Sequence, residues 1–333
     1  MQAGAHPDHG PTASKLDAAA GPAIRPGSLR AWRALLRPRS LLVAVSPVLA
    51  GAALGYARTG DVDPLATSLV LAGALLVQAI SNMQNDVGYT MRGGERSGTR
   101  TGLPRATAHG WLGVREVQSA IVIASVVATV IGFALFAHRG WPVLVIGTAS
   151  LLAALAYMGG PRPIAYTPLG EFTVFTFFGL VAVCGTDWVV TGSVGRTTLS
   201  AGIAIGCLAA AALCVNNHRD IAHDRSVGRR TFAVTFGPAA SRRLYAVLLC
   251  TAFALLPAMV LVAYDGVTPA MHGSAVGLLL PLVLGPTALR LWRDFVRCTP
   301  GTAFNVILFR TFRLERAFAA SLAVGAILDR LLR

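Results

Sequence analysis

The chain contains little charge, and acidic residues are especially scarce. Only 13% of its 333 residues are Asp, Glu, Lys or Arg, whereas 54% are hydrophobic. Soluble globular domains carry about 25% charged residues. The composition therefore excludes a soluble multidomain enzyme and a disordered scaffold.

Cysteine is also scarce, and its spacing is uninformative for metal binding. No CxxC pair occurs among the five cysteines, and most of them lie inside apolar runs, where a thiol behaves as a small hydrophobic group. We predict neither a disulfide framework nor a zinc site. The five residues are Cys184, Cys207, Cys214, Cys250 and Cys298.

Long apolar runs make up most of the sequence. About 20 residues are needed to cross a hydrocarbon layer of about 30 Å as a helix, and nine runs approach or reach that length. We predict an all-α polytopic membrane protein with about nine transmembrane helices. The predicted spans are 40–57, 66–84, 118–137, 141–158, 172–192, 198–216, 243–263, 269–288 and 315–331.

The net charge of +14 follows the predicted topology. If the N-terminus is cytoplasmic, 24 of the 29 Lys and Arg residues lie in or beside cytoplasmic segments, as the positive-inside rule requires. No basic stripe alternates with stacking aromatic residues, so we expect no nucleic-acid partner. Residues 1–28 are polar and lack an apolar signal core, which predicts a disordered cytoplasmic tail ahead of one transmembrane domain at 29–333.

Two polar segments follow the predicted second and sixth spans, and they resemble each other. Asn82 and Asp86 have the same four-residue separation as Asn216 and Asp220, at an offset of 134 residues. This spacing indicates that one helical hairpin unit occurs twice. We call these segments the first and second motifs.

Asp220 and Asp224 place two carboxylates on one helix face, with Cβ atoms about 5 to 6 Å apart. Such a pair fits Mg²⁺, which proteins commonly hold with one or two carboxylates and substrate phosphates. Asn216 and Asn217 lie one turn earlier and offer a further oxygen ligand or a substrate contact. The alternative is a solvated acidic pair at an exposed helix end.

Arginines surround both motifs. Their planar guanidinium groups bind phosphate oxygens bidentately, so the combination of carboxylates and arginines indicates a diphosphate site. Each arginine taken alone also fits a positive-inside anchor. The arginines are Arg92, Arg96, Arg100 and Arg105 in the first group and Arg219, Arg225, Arg229 and Arg230 in the second.

The motifs resemble those of the UbiA superfamily of intramembrane prenyltransferases, most closely the branch that prenylates 1,4-dihydroxy-2-naphthoate for menaquinone. The similarity extends from about residue 29 to 331. It rests on five ordered blocks, at residues 37–51, 81–86, 100–110, 157–179 and 216–231.

This resemblance implies a ring of nine helices around a central cavity that opens to the cytoplasm, in the inner or plasma membrane. It also implies Mg²⁺-dependent transfer of a prenyl group from a prenyl diphosphate to an aromatic acceptor, either dihydroxynaphthoate or a related specialised-metabolite phenol, within the lipid bilayer. A dry cavity and aromatic side chains would protect the allylic cation.

The resemblance also implies roles for individual residues. Asp220 and Asp224 would bind Mg²⁺, with Asp86 and Glu95 as further candidate ligands. The predicted substrate-binding residues are Asn82, Asn85, Tyr89, Arg100, Arg105, Tyr157, Tyr166, Asn216, Asn217, Arg219 and Arg229.

The first motif departs from the family pattern at Tyr89, where an aspartate is usual, and at Glu95, where a further aspartate is common. One hypothesis is a register shift in which Asp86 binds the metal. Others are that this half binds metal weakly, or that Tyr89 orients the acceptor or stabilises a cation.

Two further functions remain open on the sequence. One is a terpene cyclase of the same fold, in which the ionised prenyl chain closes on itself. The other is a non-enzymatic transporter, although transporters commonly carry ionisable groups near the bilayer midplane, whereas here the acidic motifs lie at the predicted cytoplasmic ends of the spans.

Overall fold

The computed structural model describes residues 24–94, 102–263, 275–298 and 303–332. Those ranges contain helices and connecting turns but no strand. The helices are α1 Leu29–Leu36, α2 Pro38–Thr59, α3 Pro64–Met91, α4 Val114–Arg139, α5 Trp141–Met158, α6 Gly170–Thr191, α7 Arg196–Arg219, α8 Ile221–Ser226, α9 Phe232–Ala263, α10 Val276–Arg297 and α11 Ala303–Leu331.

About nine long helices were predicted, and the described ranges contain nine. Eight of them, all except α11, are long and apolar enough to cross a membrane by length and composition. The helix α11 has 29 residues but carries charged side chains, including Glu315, in its first half. The predicted all-α polytopic fold is confirmed. The boundary of the predicted tail at residue 28 stays a prediction, because residues 1–23 lie outside the described ranges.

Several helix boundaries differ from the predicted ones. The eighth span was predicted at 269–288, whereas α10 extends to Arg297, and α11 begins at Ala303 rather than 315. A span predicted from hydropathy ends at the first charged residues, whereas the hydrogen bonds of the helix continue through them. The short helix α1 was not predicted, although Ser28 caps it by accepting a hydrogen bond from the Ala31 amide at 3.3 Å.

Small residues allow the central helices to approach closely. A Cβ added at Gly179 would lie 2.4 Å from the Gly202 carbonyl oxygen, where α6 meets α7. A Cβ at Gly51 would lie 2.4 Å from the Val183 carbonyl oxygen, where α2 meets α6. Backbone therefore packs directly on backbone at both crossings, as small residues permit in membrane helices.

A cavity of about 1060 Å³ lies between α2–α7 and α11. The helices α9 and α10 pack outside it, on α7 and α11. Apolar side chains such as Leu135, Val143 and Val189 line one part of the cavity, and side chains of the two motifs line the other. We call the part lined by Asn85 and Asp220 the polar end.

Candidate active site

The polar end joins the two motifs through Tyr89, Asp224 and Arg229. The Arg229 guanidinium donates to Asp224 Oδ1 at 2.6 Å and also to the Tyr89 hydroxyl, and that hydroxyl lies 3.5 Å from the same carboxylate oxygen. All three residues are buried. Arg229 also donates to the Ala165 carbonyl oxygen at 3.1 Å, so its side chain is fixed on two sides.

Two guanidinium groups lie against the Tyr89 ring. The Arg105 guanidinium carbon is 4.4 Å from the ring centroid, and that of Arg229 is 5.2 Å away, both within cation–π range. Burial opposes the charge of Arg229, but Tyr89 and Asp224 outweigh it and raise the Arg229 pKa above its ordinary value. Arg105 and Arg229 therefore present guanidinium groups to this end of the cavity.

Asp220 forms a second acidic group at the polar end. Arg219 donates to both of its carboxylate oxygens, at 2.8 and 2.6 Å, and also to Asn216 Oδ1 at 2.9 Å and Asn305 Oδ1 at 2.6 Å. This network ties the end of α7 to the start of α11. Asn216, Arg219, Asp220 and Asn305 all line the cavity.

Asp86 occupies a different environment from the metal site predicted for it. Its carboxylate accepts hydrogen bonds from the Ala106 amide at 3.0 Å, the Thr107 amide at 2.9 Å and the Thr107 hydroxyl at 2.6 Å. Among the described residues, Asn82, Asn85, Tyr89 and Asp220 line the cavity, whereas Asp86 and Asp224 do not. The contacts are those of a cap that holds the turn after Arg105, and they argue against the register shift.

Asn82 also has a structural partner. Its Nδ2 donates to the Leu36 carbonyl oxygen at 2.8 Å and to Ser40 Oγ at 2.9 Å, so it holds the corner between α1 and α2. Asn85, one turn later, lines the cavity, and its buried Oδ1 has no hydrogen-bond partner among the described residues. An unsatisfied buried oxygen of this kind suits a cation or a water molecule.

Glu171 is a site neighbour that the sequence reasoning missed. Its Oε1 accepts a hydrogen bond from Asn217 Nδ2 at 2.9 Å, and both side chains are buried. Asn217 thus contacts α6 behind the cavity wall, and neither residue lines the cavity. The sequence offered one signal for this role, because Glu171 is an acidic residue in the first turn of an apolar span.

The two remaining predicted tyrosines are Tyr157 and Tyr166. Tyr157 lines the cavity. Tyr166 lies with its ring centroid 5.8 Å from the Arg229 guanidinium carbon, and burial raises its pKa.

His218 packs between Phe295 and Phe304 at centroid distances of 4.8 and 5.3 Å, which is a packing role.

Glu95 and Arg100 lie outside the described residues. Within the described ranges, no cluster of three or more His, Cys, Asp or Glu side chains forms a complete metal cage. The oxygen atoms of Asp220, Asp224, Asn85 and Asn216 are nevertheless the ligand type that Mg²⁺ prefers, and Mg²⁺ usually completes its coordination with water and substrate phosphate. The donor set therefore fits Mg²⁺ bound together with a diphosphate.

Comparison with known sequences agrees with this geometry. The sequence profile of the UbiA prenyltransferase family matches residues 44–312. The chain is 34% identical over 226 residues to 1,4-dihydroxy-2-naphthoate octaprenyltransferase from Escherichia coli K12, covering 66% of this chain and 73% of that protein. It is 33% identical over 267 residues to the protein of the same name from Mycobacterium leprae, covering 80% and 85%.

Solved structures share the fold. A UbiA homolog from Archaeoglobus fulgidus bound to GPP and Mg²⁺ superimposes with a TM-score of 0.65 at 18% sequence identity, covering 90% of this chain and 99% of that one. The form of that homolog bound to DMAPP and Mg²⁺ gives the same TM-score at 17% identity, covering 89% and 99%. At these identities the likeness establishes the helical architecture around the cavity.

Proposed function

The chain belongs to the UbiA prenyltransferase family, and from that premise we propose that it transfers a prenyl group from a prenyl diphosphate to 1,4-dihydroxy-2-naphthoate or a closely related aromatic acceptor. It is a multi-pass membrane prenyltransferase. The observation that carries the proposal is the polar end, where Asp220 and arginines from beside both motifs line an otherwise largely apolar cavity. Because the family consists of prenyltransferases, its match argues against the transporter hypothesis.

The diphosphate would bind among Arg105, Arg219 and Arg229. All three line the cavity, and two of them are fixed by carboxylates, Arg219 by Asp220 and Arg229 by Asp224. Pre-positioned guanidinium groups stabilise charge that develops on a leaving diphosphate without reorganising during the reaction. Arg100 stays a predicted contributor from the first motif.

Asp220 and Asp224 would hold Mg²⁺, with Asn85 and Asn216 as neighbouring oxygen donors. When bound, the ion neutralises charge on the phosphate oxygens and so favours cleavage of the bond to the prenyl carbon. The relatives bound to Mg²⁺ and prenyl diphosphates support this assignment. Glu95 stays a predicted ligand, whereas the contacts of Asp86 favour a role in holding the loop that carries Arg105.

The prenyl chain would occupy the apolar part of the cavity, beside Phe177, Phe178 and Tyr157. The bond between the prenyl carbon C1 and oxygen breaks with its electron pair leaving on the diphosphate. An aromatic carbon of the acceptor bonds to C1, and the ring then loses the proton from that carbon. Exclusion of water by the apolar walls prevents hydrolysis of the allylic cation.

The test is product identification. Membranes containing the protein are incubated with Mg²⁺, prenyl diphosphates of several lengths and a panel of aromatic acceptors, and products are identified by mass spectrometry. Membranes with Asp220→Asn are the matched control. We expect a prenylated dihydroxynaphthoate product from wild type alone. A cyclised hydrocarbon formed without acceptor would instead support the terpene cyclase, and absence of any product would contradict both functions.

A further inference from the structure

A groove separate from the reaction cavity lies between α10 and α11. It has a volume of about 210 Å³, and none of the described residues that line it also lines the cavity. A ligand bound there would therefore differ from both reaction substrates. We call it the α10–α11 groove, and it is lined by Leu284, Thr287, Arg310, Arg313, Leu314 and Ala317.

The spacing of the groove residues on α11 explains the separation. Arg310, Arg313 and Ala317 are three and four residues apart, so they share one face of the helix. Phe309 and Phe312 lie on a different face and line the reaction cavity. The helix α11 thus forms a wall with the cavity on one side and the groove on the other.

Two guanidinium groups form the polar part of the groove. Arg310 donates to Asp294 Oδ2 at 2.5 Å, and this ion pair connects α11 with α10. The Arg310 side chain stays 31% exposed in spite of the ion pair, and Arg313 is exposed. The ion pair therefore positions Arg310 and leaves part of its guanidinium group open to a second anion.

The charge balance around the groove is strongly positive. Residues 285–316 contain six arginines and two acidic residues. One of the two, Glu315, is fully buried and accepts a hydrogen bond from Ser46 Oγ at 2.7 Å, so it faces α2. Asp294 is the other. The groove thus retains a net positive charge, which attracts anionic ligands.

The rest of the groove is apolar and belongs to a surface that faces lipid. Two leucines and an alanine line it. On α10, Val283 is 75% exposed and Trp292 is 38% exposed. Large exposed apolar side chains mark membrane contact, and tryptophan concentrates at the membrane–water interface. The two groove arginines directly precede the predicted span 315–331, so they lie at the predicted cytoplasmic boundary of the bilayer.

We propose that the α10–α11 groove binds an anionic glycerophospholipid, with the phosphate at Arg310 and Arg313 and an acyl chain along Leu314 and Ala317. Guanidinium groups bind phosphate oxygens bidentately, and basic pockets between transmembrane helices bind acidic headgroups. A positive-inside anchor requires charge alone, whereas this groove continues the charge into an apolar surface, as a phospholipid requires. The site does not depend on the proposed function.

The test measures lipid binding by the purified full-length protein in detergent. Delipidated protein is titrated with phosphatidylglycerol or with phosphatidylcholine of the same acyl chains, and bound lipids are counted by native mass spectrometry. Each arginine near an anionic headgroup contributes about fivefold in affinity. We therefore expect wild type to prefer phosphatidylglycerol by about fivefold or more, Arg313→Gln to reduce that preference, and the double variant Arg310→Gln/Arg313→Gln to abolish it.

Three further variants separate a binding site from general charge and from helix packing. Arg293→Gln removes the same charge from an exposed residue of α10 outside the groove, so it should retain the wild-type preference. Asp294→Asn breaks the ion pair with Arg310 but keeps both groove arginines, so it should bind phosphatidylglycerol at least as tightly as wild type. Ala317→Trp fills the apolar part and should weaken phosphatidylglycerol binding without a change of charge.

Thermal stability gives a second readout. A ligand that binds the folded state stabilises it, so phosphatidylglycerol should raise the thermal midpoint of wild type and of Arg293→Gln more than that of the double variant. Elution in detergent and the midpoint without lipid verify folding. If the double variant misfolds, Arg313→Gln decides the question, because its side chain is exposed.

Four results would overturn the proposal. They are equal binding of the two lipids by wild type, equal losses in Arg313→Gln and Arg293→Gln, a loss in Asp294→Asn as large as in Arg310→Gln, and a lipid-free dimer that Ala317→Trp dissociates. The third would assign the ion pair a purely structural role, and the fourth would assign the groove to a second copy of the chain. Because prenyl transfer is not measured, failure of the proposed function leaves these outcomes unchanged.

Discussion

Tyr89 and Asp224 lie 135 residues apart in the chain and meet at the polar end of the cavity. The Tyr89 hydroxyl accepts a hydrogen bond from Arg229, and its ring lies against Arg105. Where the family usually has an aspartate, this chain thus has a residue that holds two arginines in place. We therefore expect Tyr89 to act on the diphosphate through those arginines.

Tyr89→Phe tests this role. The ring and its contact with Arg105 remain, but Arg229 loses an acceptor whose hydrogen bond contributes about 0.5 to 1.5 kcal/mol. We expect KM for the prenyl diphosphate to rise by about 2- to 12-fold while KM for the aromatic acceptor stays unchanged. Steady-state kinetics with each substrate varied in turn measures both; a rise confined to the acceptor would mean that Tyr89 orients the acceptor instead.

Asp86→Asn separates a metal ligand from a structural cap. The Ala106 and Thr107 amides donate to different carboxylate oxygens, so the amide nitrogen of asparagine would face one of them, and the turn that follows Arg105 loses an acceptor of about 1.5 to 3 kcal/mol. We expect lower activity and a lower thermal midpoint, with the Mg²⁺ concentration for half-maximal activity unchanged. Thr107→Val, which removes one donor to the same carboxylate, should produce a smaller change of the same kind.

A raised Mg²⁺ requirement in Asp86→Asn, matched by Asp224→Asn but absent in Thr107→Val, would restore the register-shift hypothesis. Asp224→Asn serves as the reference for a variant that loses a predicted ligand.

At the scale of helices, the fold depends on close crossings at glycines, where any side chain larger than hydrogen would clash with the neighbouring helix. Gly179→Ala would place a methyl group 2.4 Å from the Gly202 carbonyl oxygen and force α6 from α7. Overpacking of this kind costs about 1 to 3 kcal/mol. We expect a lower thermal midpoint in detergent for Gly179→Ala, whereas Gly285→Ala, with no atom within 4 Å of the added Cβ, should match wild type.

Sequence patterns predicted the helices well because apolar length is a direct physical requirement for crossing a bilayer. They missed α1, which has only eight residues. They also missed the charged segments at the C-terminal end of α10 and the N-terminal end of α11. The contacts of Asp86 were not predictable for another reason. Its spacing from Asn82 copies that of Asn216 and Asp220, but its partners are backbone amides 20 and 21 residues away, and spacing carries no information about those.

The pairing of Tyr89 with Arg229 was equally beyond sequence reasoning, because it depends on how α3 packs against the segment after α8. The proximity of the two motifs was predictable only through the family resemblance.

For the whole molecule, the charge distribution predicts a cytoplasmic N-terminus and a polar end that faces the cytoplasm. Arg115 and Arg196 are both exposed and lie at opposite predicted faces. In a variant without the five native cysteines, Arg115→Cys should react with a membrane-impermeant maleimide in inside-out vesicles, and Arg196→Cys should react in spheroplasts. The reverse labelling would invert the predicted topology.

The proposed mechanism depends on Mg²⁺ that the second motif binds together with a prenyl diphosphate at the polar end. Prenyl transfer is measured in membranes after treatment with EDTA, during titration with Mg²⁺, for wild type and Asp224→Asn. We expect EDTA to abolish wild-type product formation, Mg²⁺ to restore it, and Asp224→Asn to stay lower by about 100-fold or more at saturating Mg²⁺. Full activity in EDTA, or near wild-type activity of Asp224→Asn, would show that the second motif does not bind a required Mg²⁺.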